Sequence, residues 1–229
     1  MRYGKIYEDW VLKKYTNDGI PGDSRFRYFD TNYGSLLKGK GEIGIIGMSA
    51  PTAYYYLKKY GQKCFIITFN QKIAERYKNL SYVRAKDVLT YEGYIINKQF
   101  QRIFLFNELI ALTLNEQVAL LSACYNAIRE KGEVILEVPN SACLFTGGFL
   151  RYEHLISISG FSPKSLTQLL KYAGFSDITL RRVKPVQLNV FTMLIWKLKD
   201  LLSDMMLKTS DPEYVINSGH LIAKGVKKQ

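Results

Sequence analysis

The chain has 229 residues, 47% of them hydrophobic and 23% charged, which suits one globular domain with a full core and excludes a disordered or low-complexity chain. Its 32 Lys and Arg exceed 20 Asp and Glu, for a formal charge of +12, a field that favours phosphorylated sugars, nucleic acid or anionic membrane surfaces. The cations are scattered, with clusters no longer than Lys58-Lys59, Arg181-Arg182 or Lys227-Lys228, so a solvated basic surface is expected and no nucleic-acid partner.

Cys64, Cys124 and Cys143 lie far apart and match no metal-ligand spacing, and only His154 and His220 accompany them. They are expected to be buried free thiols, with no metal bound. The opening MRYGKIYEDWVLKK lacks the apolar core of a signal peptide, and no run reaches the roughly 18 to 20 apolar residues of a spanning helix. A cytoplasmic protein is expected.

In chain order, Tyr3 to Thr16 has the spacing of an amphipathic helix (Ile6, Trp10, Val11, Tyr15), and 17–23 is a loop dense in breakers. Ser24–Leu37 is predicted helical, and with its preceding segment makes an N-terminal lead-in over 1–40. The α/β domain then fills 41–229. Its opening GEIGIIGMSAPTAYYYLKKYGQKCFIITFN reads strand, turn, helix, strand. Ile43–Ile46 is a short apolar run ended by Gly47, Pro51–Tyr60 a helix with Pro in an allowed first-turn position, and Cys64–Thr68 the second strand. A helix follows over Gln71–Tyr77, then strands at Tyr82–Val83 and Arg102–Phe106. Leu114–Lys131 is predicted as a helix with a Val118, Leu121, Tyr125, Ile128 core stripe and Gly132 past its end. Glu133–Val138 is a strand stopped by Pro139. Ser162 is an N-cap with Pro163 first in a helix that ends at Gly174. Ile178–Val183 and Leu221–Val226 are the last strands, around a helical insertion over 186–217. The alternation predicts a doubly wound, Rossmann-like sheet of seven strands closed by an antiparallel pair.

Several stretches match one family in order and spacing: Phe26-Arg27-Tyr28-Phe29, Gly132 to Asn140 (GEVILEVPN), Arg151-Tyr152, and Phe161 to Leu166 (FSPKSL) with Ala173-Gly174-Phe175. Over residues 26–185 the chain resembles class I S-adenosylmethionine (SAM)-dependent methyltransferases, in particular the group encoded with bacterial surface-polysaccharide genes. The resemblance implies a SAM site at the strands' carboxyl ends and a sugar hydroxyl as acceptor. The cofactor positions depart from the pattern. Ile45 stands where the family has an acid, Ser49 and Pro51 replace the second and third glycines, and Thr68 stands where a carboxylate takes the ribose hydroxyls. Ser49 adds bulk at a close approach, Pro51 removes a donor, and a neutral hydroxyl binds more weakly than a carboxylate. The family's acid-His pair becomes Ala111-Leu112. Past Arg151-Tyr152 the Asp, Thr and His-Glu positions become His154, Ile156 and Ser157-Ile158.

The positions left to bind cofactor are Gly47, Thr68, Asp87 and Asn107. Gly47 either begins the cofactor turn or merely turns the chain, and Asp87 either meets the adenine or caps a helix. Glu108 and His154 are the candidate base residues, and Arg151 with Tyr152 the candidate acceptor grip. Each has a plainer role as a cap, a surface residue or a loop staple. In the insertion, Phe191, Leu194, Leu198, Leu201, Leu202 and Met205 are expected to pack on the domain. Met193, Trp196 and Leu207 would form a second strip for a partner chain, most simply a second copy, or for a membrane surface. Two functions stay open: a non-catalytic or partner-dependent subunit that binds a glycan or nucleotide-sugar or supports an active methyltransferase or glycosyltransferase, with or without SAM, and an active sugar O-methyltransferase with a rebuilt pocket.

Overall fold

The computed structural model describes residues 23–38, 41–47, 59–61, 64–68, 82–84, 99–143, 158–184, 186, 190–207, 216 and 218–228. The apolar runs at the centre of the sheet become strands because they are covered on both faces. β1 is Ile43–Gly47, β2 Cys64–Thr68, β3 Tyr82–Arg84, β4 Phe100–Phe106, β5 Ile128–Pro139, β6 Ser176–Arg182 and β7 His220–Val226. Among the described residues they make one sheet in the order β3-β2-β1-β4-β5-β7-β6. β1 to β5 pair in parallel, and β7 runs antiparallel to both β5 and β6.

Alternate side chains feed two cores. Helix α1, Asp23–Leu37, covers one face, where Phe29, Tyr33 and Leu37 bury against Ile43, Ile45, Phe104, Phe106 and Ile135. On the other face Ile46, Ile103, Leu105, Leu136 and Val138 meet helices α2, Leu114–Ala127, and α3, Pro163–Tyr172. The α3 start is set by Ser162, whose Oγ accepts from the Ser165 N–H at 3.1 Å, and its end by Gly174 at φ +96°.

Two expectations fail. α2 stops at Ala127, four residues before Lys131, because Ile128 is already paired with Phe100 at the start of β5. Gly132 is therefore inside β5: a Cβ there would lie 2.5 Å from Ile128 Cγ2 and 2.9 Å from the Gln101 carbonyl. The buried stripe of α2 is also rotated from the predicted one. Gln117, Leu120, Leu121, Ala123, Cys124 and Ala127 are buried, whereas Val118 and Tyr125 are half-buried. The small Ala123, Cys124 and Ala127 let the helix sit close to the sheet, and Tyr125 packs edge-on to Phe175 at 5.2 Å.

The second failure concerns the insertion. Its helix α4, Val190–Leu207, was expected to bury Phe191, Leu194, Leu198, Leu201, Leu202 and Met205 against the domain. All six are exposed. All three cysteines are free and buried, as expected; burial pushes the Cys64 thiol up to about 12 and raises Cys124 as well.

Candidate functional site

In a doubly wound sheet the ligand crevice opens where neighbouring strands lead off in opposite directions, outside their carboxyl ends. Here that point lies between β1 and β4, and their last residues, Gly47 and Phe106, are paired. Gly47 has φ +121°, and a Cβ on it would lie 2.7 Å from the Phe106 carbonyl oxygen and 2.8 Å from Glu108 Cγ. Only glycine lets Glu108 come this close. Asn107 follows β4 with φ 59°, a left-handed conformation that Asn tolerates better than most residues. Its N–H donates to the Glu137 carbonyl at 2.8 Å. Its side-chain Oδ1 is buried and has no hydrogen-bond partner among the described residues. Glu108 is buried beside it.

The structure thus brings Gly47, Asn107 and Glu108 together. Thr68 ends β2, the next strand over, paired with Arg84. Ile45, which the sequence resemblance aligns with an acid, is fully buried in the apolar cluster beneath α1. Asp87, Arg151, Tyr152 and His154 lie outside the described residues, as do Ser49 and Pro51. Met193 is exposed on α4; Trp196 and Leu207 occupy the same helix, with side chains outside the described set.

One constellation escaped the sequence reading. Tyr28 Oη donates to Glu137 Oε1 at 2.7 Å, and Tyr33 Oη donates to Oε2. His220 Nδ1 lies 3.4 Å from Oε1. Burial first, then the Glu137 charge, raises both phenols well above the usual tyrosine range, so at neutral pH they remain donors to the carboxylate. Asn32 extends the network: its Oδ1 accepts from the Lys184 N–H at 2.8 Å and its Nδ2 donates to the Lys184 carbonyl at 3.1 Å. Arg181 donates to the Asn32 carbonyl. Together these bonds fasten α1 to β5 and to the end of β6. The available signal was a lone acid, Glu137, in the apolar run Val134–Val138. On the opposite face, beside the carboxyl edge, Gln117, Ser141, Ser159, Phe161 and Ser165 help line an open cavity of about 400 Å³.

This sheet order, with its antiparallel seventh strand and its crevice between β1 and β4, is the class I SAM-dependent methyltransferase fold. No protein-family model matches the chain, and no curated protein matches it in sequence. Among solved structures, a SAM-dependent methyltransferase from Archaeoglobus fulgidus is similar with a TM-score of 0.69 at 15% identity, over 94% of this chain and 100% of that one. One from Thermotoga maritima gives 0.64 at 14% identity, over 97% and 99%. A Haloferax volcanii protein solved with the Trm112 methyltransferase activator gives 0.62 at 11% identity, over 97% and 96%. At these identities the likeness establishes the fold.

Proposed function

We propose that the chain is a methyltransferase-fold subunit of surface-polysaccharide assembly that holds SAM weakly or not at all. In this reading it recognises a glycan or nucleotide-sugar precursor, or supports an active methyltransferase or glycosyltransferase. The observation that carries it is Ile45, fully buried among Tyr33, Phe104 and other apolar side chains. An isolated carboxylate there would be costly, so the neighbourhood is repacked around an apolar residue and the lost acid is not a bare substitution. The crevice fits SAM only in part. Gly47 keeps the close backbone approach and Asn107 offers a buried acceptor, while Thr68 offers no carboxylate for a ribose. No chemical step is therefore assigned through the cofactor. Partner dependence is supported by analogy with the Haloferax protein, whose structure was solved with an activator. The polysaccharide assignment rests on the sequence resemblance alone.

Asn107 favours a second reading, an active sugar O-methyltransferase with rebuilt contacts. Its unpartnered Oδ1 beside Gly47 is the kind of acceptor a ligand amino or hydroxyl group satisfies. Calorimetric titration with SAM and with its demethylated product separates the two. Millimolar binding, about −4 kcal/mol, or no heat is expected; a micromolar constant overturns the first reading in favour of the second.

A further inference from the structure

Helix α4 spans 18 residues, about 27 Å. At 100° per residue, Val190, Phe191, Leu194, Ile195, Leu198, Leu201, Leu202, Met205 and Met206 share one arc of about 160° that contains no charged position. The seven of these whose side chains are described are 39–71% exposed. Lysines occupy the positions just beyond each border of the arc, 197 on one side and 199 on the other, while the acids at 200 and 204 fall on the opposite half. An apolar face bordered by lysines is the pattern of a helix lying in a membrane interface, where long cationic side chains reach the headgroups.

We propose that α4 is a membrane-docking helix that lies in the surface of an anionic bilayer with its apolar arc in the headgroup and acyl boundary. The helix is formally neutral, but its two lysines stand nearer the arc than its two acids. The charge complementarity that selects this occupant comes from the +12 chain as a whole, which meets lipid phosphates. The width of the arc argues against a second copy. A two-helix seam covers a narrower stripe and would leave Ile195 on one flank, or Leu201 on the other, in water. Among the described residues no helix is long and apolar enough to cross a membrane, so α4 rests on it.

The insertion also begins and ends at the ligand edge. β6 is parallel to β4 and β5, since both β5 and β6 run antiparallel to β7. Arg182 and His220 therefore sit at the same edge of the sheet as Gly47 and Asn107. Docking through α4 would bring that edge to the bilayer, where the acceptor would be lipid-linked. This last step rests on the function proposed above; the docking itself does not.

The test is flotation of the full chain with neutral phosphatidylcholine vesicles and with vesicles containing about 30% phosphatidylglycerol. Partitioning at least about tenfold stronger onto the anionic vesicles is expected, reduced by 0.5 M salt. Leu194→Glu with Leu198→Glu should abolish it while circular dichroism and SAM titration stay unchanged. Lys197→Glu should weaken it several-fold. No flotation of the unmodified chain, equal partition on neutral and anionic vesicles, or unaltered flotation of the double variant overturns the proposal. So does a dimer in light scattering that the same double variant dissociates, which would assign the face to a second copy.

Discussion

Glu137 is buried, and Tyr28 and Tyr33 donate to its two carboxyl oxygens. Tyr33→Phe leaves one oxygen unpaired and should cost about 1.5–3 kcal/mol, the range for a hydrogen bond to a charged group, read as a lower urea midpoint. An unchanged midpoint would mean that solvent or His220 replaces the phenol without loss. Ionisation sets limits at both ends of the pH scale. Burial alone would raise the Glu133 carboxyl, but hydrogen bonds from Arg102 at 2.6 Å and Lys224 at 3.0 Å outweigh it and hold it below the usual value. A depressed carboxylate contributes stability above its unfolded value of about 4.3 and loses it as pH falls through the lower folded one. The raised Cys64 and Cys124 thiols and the raised Tyr28 and Tyr33 phenols act in the opposite sense. Their contribution is complete below the unfolded values, about 8.5 for Cys and about 10 for Tyr, and is lost as pH rises beyond them. Thermal melts across pH should therefore show a plateau between about 5 and 8. A midpoint still climbing above pH 9 would contradict these assignments. Gly47→Ala forces a side chain into the Phe106 carbonyl at a φ that L residues resist, and a loss of about 1–3 kcal/mol is expected.

Among the elements, α3 and α4 make a useful contrast. α3 is fixed locally by the Ser162 cap and globally by Leu166 and Leu170, both fully buried. Ser162→Ala should lower stability by about 1 kcal/mol. α4 presents its apolar arc to the surroundings, so Leu194→Glu with Leu198→Glu should change the denaturant midpoint by less than about 0.5 kcal/mol. A large loss would show that the helix is held by its own domain after all. α2 shows how a helix stripe can be misread: Leu121 is buried as expected, but Val118 and Tyr125 are half-buried, and the inner face is shared by Leu120, Leu121 and the small Ala123, Cys124 and Ala127.

For the whole molecule, the question is whether the fold still carries a cofactor. On the function proposed above, Ser49→Gly, Pro51→Gly and Thr68→Asp together would supply the two turn glycines and the ribose acid of the resembled pattern. If the scaffold is otherwise intact, the triple variant should bind SAM at least about tenfold more tightly than the unmodified chain, one decade being 1.4 kcal/mol. No gain would place the obstruction elsewhere, first at Ile45, whose reversion to an acid would cut into the core. The strand order explains the concentration of these positions: β1 sits where the sheet's connections reverse, so its end, the end of β2 and the turn after β4 converge from distant parts of the chain.

Short apolar runs bounded by Gly, Pro and loop residues were enough to place β1, β2 and β4 to within two residues, because a strand buried on both faces has few other sequence solutions. β7 and the edge strand β6, which has no buried residue, fell within two residues as well. Local chemistry likewise placed the α3 cap. The reading of Ile45 and Thr68 as departures rests on the sequence resemblance alone. The rest depended on distance across the fold. Nothing local distinguishes Tyr28 and Tyr33 from other aromatic residues until α1 is laid over β5 and Glu137 faces them. Nothing in the periodicity of 190–207 says whether its apolar arc turns toward the domain or away. Periodicity fixes which residues share a face, and only the packed sheet decides whether there is anything for that face to meet.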